Sequence, residues 1–263
     1  IWSVPAGDRL AVLSQHRGGI SGLVWVDEDH LLSADEGGKI LVWDAVSRVA
    51  TLAFQTDRIT SMALLTAPVR LVVGYSSGQV RSFSYPGFEP LAETRLGSKV
   101  LSVAIEPASQ RVAVSAADES VQLFDSRLQA VRTMQAPPGK VFELRFSPDG
   151  RQLAGGGWFK IFLWSVTSGV LQVRDSGHRG LVISLDYSPD GHQMASIGRI
   201  TDANLLVTDT ASGDLQRRLS PQPLCGWNVR FSPDGRYVAS ASEDGSVRLY
   251  DISISYQPTW YHE

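Results

Sequence analysis

Cysteine is nearly absent: Cys225 is the only one among 263 residues. A single thiol excludes an internal disulfide framework and any zinc cage built from several thiolates. Charge of one sign is also lacking. Lys and Arg number 24 against 27 Asp and Glu, for a net charge of −3. The chain therefore has no bulk attraction for nucleic acid or anionic lipid. It contains no apolar run of the roughly 18 residues that a membrane-spanning helix needs, and no secretory leader pattern, so it reads as cytoplasmic. Nothing in it has the pattern of a long amphipathic helix. What is present is ordinary globular material, 43% hydrophobic and 19% charged, enough for one all-β domain or two smaller ones. The opening Ile1-Trp2-Ser3 falls in mid-pattern, which suggests that an upstream segment was removed.

The dominant positive signal is self-similarity with a period of about 41 residues. Each unit closes on an aromatic or polar residue followed by Asp or Ser: Trp2-Ser3, Trp43-Asp44, Phe83-Ser84, Phe124-Asp125, Trp164-Ser165, Thr208-Asp209 and Tyr250-Asp251. A second landmark falls midway, at Phe146-Ser147-Pro148-Asp149-Gly150, Tyr187-Ser188-Pro189-Asp190-Gly191 and Phe231-Ser232-Pro233-Asp234-Gly235. Pro presets φ at the first turn position, Asp bonds its own backbone, and Gly accepts positive φ, so each is a hairpin turn. Residues 141–146 and 246–250 alternate as half-buried strands. Small residues such as Ala239, Ser240 and Ala241 let neighbouring sheets approach closely. Four short strands per unit, repeated radially, give an all-β propeller.

Gly177-His178, the three Ser-Pro-Asp-Gly turns and the Trp-Asp or equivalent endings resemble the WD-repeat (WD40) β-propeller family. The resemblance covers residues 1–251, read as a single propeller, with 252–263 as a C-terminal tail. It implies blades of four antiparallel strands, and the closing positions, which run from Trp2 to Tyr250 in six periods, make six of them, with residues 9–15 as an N-terminal strand closing the last blade and removing an open edge; seven blades, the family's commoner number, is the alternative. It also implies buried networks of His, Ser or Thr, Asp and Trp. His16, Ser33 and Trp43 fit the first blade, with Gly37 where Asp would stand. His178 and Asp202 fit the fifth, with Thr208 replacing Trp. Asp118 and Asp244 accompany Phe124 and Tyr250 in the third and sixth. Trp2, Trp43, Trp164, His16, His178, Asp118, Asp202 and Asp244 are thus expected to be structural. The Ser-Pro-Asp-Gly text resembles repeats common in bacteria, which implies a bacterial source.

No catalytic pattern accompanies the repeat. There is no phosphate-binding loop, no Gly-x-Ser-x-Gly elbow and no His-Glu-x-x-His. His30, His192 and His262 stand singly, Glu28, Asp29, Asp35 and Glu36 fall in loop text, and Cys225 lacks an activating His. The expectation is no enzyme, no cofactor and no metal. Family members act mostly as interaction platforms, so the implied function is a non-enzymatic scaffold for a protein or peptide partner, alone or as the accessory part of a larger assembly. The alternative is an accessory subunit or enzyme holding a small ligand in the central channel.

Strands nearest the propeller axis begin at Gly19, Arg58, Lys99, Lys140, Leu181 and Cys225, and two residues later come Phe142, Ile183 and Trp227. Glu36, Trp158 and Glu243 belong to the loops between second and third strands. The expected partner surface is Arg58, Lys99, Lys140, Phe142, Trp158, Leu181, Ile183, Trp227 and Glu243, a mixture of cations and aromatics of the kind that dominates interfaces. Three cations at successive unit starts point to an acidic or extended segment. Nucleic acid is disfavoured by the acidic pI of about 6.0.

Overall fold

The closing pairs explain how each sheet is built. In a computed structural model, which describes residues 1–3, 6–106, 108–200, 202–219, 224–253 and 260–262, every closing pair from Trp43-Asp44 onward falls at the end of a third strand. The closing carboxylate then starts the turn to the fourth. Asp44 Oδ1 accepts the N–H groups of Val46 and Ser47 at 2.9 and 2.8 Å, and Asp209 Oδ1 does the same for Ala211 and Ser212.

Two compact units are present, Ile1–Arg132 and Thr133–Glu263. The first holds three blades. Blade 1 is β1 (Ile20–Trp25), β2 (His30–Asp35), β3 (Lys39–Asp44) and β4 (Val49–Gln55). Blade 2 is β5 (Ile59–Thr66), β6 (Val69–Tyr75), β7 (Gln79–Ser84) and β8 (Pro90–Arg95). Blade 3 is β9 (Val100–Ile105), β10 (Val112–Ala116), β11 (Val121–Phe124) and β12 (Ala130–Thr133), whose last residue falls in the second unit. The second unit holds blade 4, with β13 (Glu143–Phe146), β14 (Gln152–Gly156), β15 (Lys160–Ser165) and β16 (Leu171–Asp175). Blade 5 is β17 (Leu181–Tyr187), β18 (Gln193–Arg199), β19 (Leu205–Asp209) and β20 (Leu215–Leu219). Blade 6 is β21 (Gly226–Phe231), β22 (Tyr237–Ser242), β23 (Val247–Asp251) and β24 (Trp260–His262). Each is a four-stranded antiparallel meander in chain order. This is a six-bladed β-propeller, as the repeat predicted.

Within each unit the second strands are the most buried, as at Val112–Ala116, because both their faces meet neighbouring blades. Small residues there are required by close approach: a Cβ on Gly74 would sit 2.5 Å from the Val100 side chain. The Ser-Pro-Asp-Gly turns form as expected. Ser147 Oγ donates to Asp149 Oδ1 at 2.6 Å, and Gly150, Gly191 and Gly235 all take positive φ. The inner strand of each blade is a sheet edge with unpaired N–H groups, and side chains of the preceding blade accept several of them. Ser61 Oγ accepts Val103 N–H at 3.0 Å, Glu143 Oε2 accepts Leu185 N–H at 3.1 Å, Ser184 Oγ accepts Val229 N–H at 3.1 Å and Asp186 Oδ2 accepts Phe231 N–H at 2.9 Å.

One expectation is corrected. Residues 9–15 do not close the last blade; β24, from the stretch read as a tail, is its fourth strand, pairing Trp260 with Leu249 and His262 with Val247. Residues 254–259 and 263 of that stretch lie outside the described residues. A short local connection costs less closure entropy than one joining distant parts of the chain. Residues 9–16 instead form no strand of a sheet: Arg9 bridges Trp2 within the same N-terminal segment, and Gln15 O accepts Lys39 Nζ of blade 1 at 3.2 Å.

Candidate functional site

Two side-chain relays arise where the segment before a blade meets its second strand. In blade 1, His16 Nδ1 is 2.8 Å from Asp35 Oδ2 and Nε2 is 2.6 Å from Ser33 Oγ. Trp43 Nε1 donates to the same hydroxyl at 2.7 Å. The acid is therefore Asp35, two residues before the expected Gly37 position, and it also accepts Lys39 N–H at 3.0 Å. In blade 5, His178 lies between Asp202 (3.2 Å) and Ser196 (2.9 Å), while Thr208 donates to Met194 O at 3.4 Å.

An acid, an imidazole and a hydroxyl in line have the makings of a nucleophilic relay. Here Ser33 is 3% exposed and Ser196 fully buried, and Ser33 Oγ is already held by Trp43. A groove of about 650 Å³ does run along blade 1 past His16 and Ser33, walled by apolar residues such as Leu13, Leu31 and Trp43. Burial pulls the Asp35 and Asp202 carboxyls up, but hydrogen bonds from the imidazoles and backbone N–H groups outweigh it. Both are held below the usual carboxylate range, Asp202 furthest. Such satisfied, buried networks fix loops to strands.

The other expected structural residues divide. Trp164 is fully buried but donates to Gln135 O at 2.8 Å rather than to a serine. Asp118 is exposed and takes the Ser120 hydroxyl at 2.6 Å, so it shapes a turn. Asp244 takes the Ser246 hydroxyl and, at 2.8 Å, Arg248 Nη2. Trp2 is 41% exposed, which corrects its expected core role: its segment is bridged to Arg9 and not set in a sheet.

In the second unit the antiparallel register brings each inner-strand start beside the end of its second strand, as in the pairs Leu181–Arg199 and Gly226–Ser242. One rim therefore collects most of the expected surface. Lys140 is exposed and Phe142 half-buried, its N–H donating to Gly156 O at 3.0 Å. Trp158 and Phe159 are 47% and 49% exposed, with ring centroids 5.8 Å apart. They lie against blade 5 through the Trp158–Leu181 bridge and a 2.9 Å bond from Phe159 N–H to Gly180 O. Trp227, 45% exposed, lies under the Arg199 guanidinium, 3.5 Å from its ring centroid. Glu243 is exposed and donates its N–H to Cys225 O.

Two expected contacts are corrected. Leu181 is buried, and Ile183, at the irregularity between Val182 and Ser184 where the register shifts, packs against the core of blades 5 and 6. Arg199 and Ile200 are rim residues that the repeat pattern does not mark, whereas Trp158-Phe159 already stand out in the sequence as two aromatics where a small polar turn is expected. Arg58 and Lys99 lie in the first unit. Lys99 is exposed; Arg58 pairs with Glu36 at 2.9 Å on the solvent side, so it is a screened ion pair and not an isolated cation.

A cluster of displaced titratable groups, the sign expected of a ligand site, also occurs in the second unit. Glu143 meets Arg145 at 2.8 Å and Arg230 at 2.7 Å; Asp186 lies 3.6 Å from Arg145. Burial raises both carboxyls, Asp186 to about 6. Each carboxylate already accepts an inner-strand N–H, which accounts for the cluster as inter-blade structure. Among the described residues no group of three His, Cys, Asp or Glu is placed to hold a metal ion, and no helix is long and apolar enough to cross a membrane.

Blades of this build, with His–Ser–Asp relays and Ser-Pro-Asp-Gly turns, define a repeat β-propeller. Three of its segments, residues 7–44, 128–165 and 225–251, match the family model described as "WD domain, G-beta repeat". The chain is similar to the "Guanine nucleotide-binding protein subunit beta" of Solanum tuberosum, 24% identical over 96% of this chain and 61% of the relative. It is similar to "Periodic tryptophan protein 2" of Arabidopsis thaliana, 24% identical over 96% of this chain and 26% of the relative. A third relative, "WD repeat-containing protein SL1-17" of Schistosoma mansoni, is 28% identical over 60% of this chain and 52% of its own length. The chain thus spans only part of each relative. All three organisms are eukaryotes, so the comparisons give no support to the bacterial source implied by the turn text.

Proposed function

We propose that this chain is a non-enzymatic platform for a partner protein or peptide segment, engaged through the rim where inner strands begin. The observation that carries this reading is the row of large apolar side chains left exposed there, Trp158, Phe159 and Trp227, beside Lys140 and Arg199. Exposed apolar groups ringed by polar ones mark interaction sites, and Trp and Arg are the commonest anchors. The relative named as a subunit supports a place in a larger assembly.

The test is affinity purification with mass spectrometry, wild type beside a Lys140→Ser/Trp227→Ser variant and an Arg58→Ser/Lys99→Ser/Lys140→Ser variant. At least one protein is expected to be retained by wild type and depleted with either variant. Identical recovered sets at low and high salt would remove the reading.

A further inference from the structure

The rim of blades 4 to 6 contains two residues whose backbone conformation works against their side chains. In blades 1 and 2 the last turn residue before the third strand is a glycine in the left-handed region, Gly38 and Gly78, both at φ +86°. Each carbonyl accepts the N–H that follows the fourth strand, from Thr56 and Leu96. Phe159 O accepts Ser176 N–H in the same way at 3.0 Å, so Phe159 occupies the same position, at φ +59°. A phenylalanine in a place that favours glycine is normally compensated by burial of its ring; this one is 49% exposed. Ile200, in the corresponding loop of blade 5, is at φ +76°. That is a rarer state still for a β-branched residue, and Ile200 is 56% exposed.

Backbone strain kept at exposed side chains is characteristic of sites that contact something else. The two are linked into one surface. Phe159 and Trp158 touch the Gly180-Leu181 backbone, Leu181 pairs with Arg199, Arg199 covers Trp227, and Ile200 N–H bonds Cys225 Sγ at 3.2 Å. Lys160 and Asp175, which flank Phe159, pair with each other, Asp202 pairs with His178 and Asp244 with Arg248, and the other charges along this path are Lys140, Arg179 and Arg199 against Glu243.

We infer that this rim binds an extended, acidic segment of a partner protein carrying large apolar anchors, and that Phe159 and Ile200 are held in strained conformations to contact those anchors. Three apolar stations strung over three blades fit a strand-like segment, and the cations select for Asp and Glu between its anchors. The inference rests on the platform reading above and names the partner chemistry for it.

The test is to pan phage-displayed random dodecapeptides against the whole chain, then measure synthetic winners by fluorescence anisotropy. Wild type is compared with Phe159→Gly, Ile200→Gly, Trp227→Ser and, as a control in the first unit, Lys99→Ser. A thymidine oligomer of the same length serves as a second probe. Winners rich in Asp and Glu with Trp, Phe or Leu are expected. Each glycine variant should weaken their binding about tenfold while raising the melting temperature by about 2 °C, since glycine relieves the left-handed strain. Winners that bind every rim variant as well as wild type, or that respond only to Lys99→Ser, would overturn the rim assignment and leave the platform reading standing. So would a library that yields no enriched peptide while the affinity purification still retains a partner. Glycine variants no more stable than wild type would overturn the strain argument. A thymidine oligomer bound more tightly than any winner, and lost with Trp227→Ser, would replace the acidic segment with nucleic acid.

Discussion

In blade 1 the imidazole of His16 lies between Asp35 and Ser33 with the Trp43 indole closing the line; in blade 5 His178 lies between Asp202 and Ser196 with Thr208 where the indole would be. The three-residue relay therefore forms with or without tryptophan. It joins the segment before a blade to that blade's second strand, which is a polar, directional task. The indole adds volume, and volume can be supplied elsewhere in the same cross-strand row. In blade 1 that row is Trp25–Leu31–Trp43, and in blade 5 it is Tyr187–Met194–Thr208. Blade 5 places bulk on its first two strands, with Tyr187 and Met194 buried in one cluster, and tolerates a small third residue. Blade 1 buries its indole at the third strand and leaves Trp25 half exposed.

The sharpest way to break this comparison is at the third strand. Trp43→Ala should lower stability by about 3–5 kcal/mol through cavity formation and the lost bond to Ser33, whereas Thr208→Ala should cost about 1 kcal/mol or less. Equal losses in urea unfolding would mean that the indole is not blade 1's principal anchor. Next in size are the histidines. His178→Ala leaves Asp202 buried beside a vacated imidazole site and should cost about 3 kcal/mol. His16→Ala should cost about half that by the same reasoning, because the groove running past His16 admits water to the vacated site. A larger loss at His16 would reverse the ranking.

Acid separates the blades further. Asp35 and Asp202 have folded pKa values below their unfolded ones, so their contribution is complete above about pH 4 and is lost as pH falls through the folded values. Asp202 is held lower, so blade 5 should continue to lose stability at more acidic pH than blade 1. Unfolding midpoints of Asp35→Asn and Asp202→Asn against wild type, stepped down from pH 5, would reveal this as a longer pH dependence removed by the second variant. Asp186 acts with the opposite sign, its pKa raised to about 6. The folded state binds its proton more tightly than the unfolded state, so this group reduces stability as pH rises from about 4 to 6 and adds no slope above that. Asp186→Asn should flatten that window, since an amide oxygen still accepts Phe231 N–H. A slope unchanged from wild type would show that other groups produce it.

Much of the architecture was legible because the repeat fixes both strand ends. The closing Asp of Trp43-Asp44 and Thr208-Asp209 caps its turn by accepting the N–H groups two and three residues on, and the Asp of Ser-Pro-Asp-Gly accepts the N–H two residues on at the first hairpin. Two things were not legible. Asp35 serves His16 from an unexpected position because the relay needs an oxygen in the right place, and two backbone geometries supply one. The rim was half legible. Trp158 and Trp227 stand out as aromatics in turn-like text, but Leu181 and Ile183 share that text and point inward, and only the pairing of Leu181 with Arg199 brings Arg199 and Ile200 to the same edge. The closing strand was misplaced because Trp260-Tyr261-His262 carries none of the repeat's markers.

The side-chain acceptors at Ser61, Glu143, Ser184 and Asp186 carry a consequence for how such a chain can be rearranged. Each satisfies an amide 42 to 45 residues downstream, so half of a blade's hydrogen-bonding instructions are written in its predecessor. Transplanting a single sheet into a foreign neighbourhood would strand a buried N–H on one side and a desolvated carboxylate or hydroxyl on the other. Two adjoining sheets moved together keep the bonds between them and halve the number of such broken seams, so libraries of shuffled propellers built from pairs should fold more often than those built from singles.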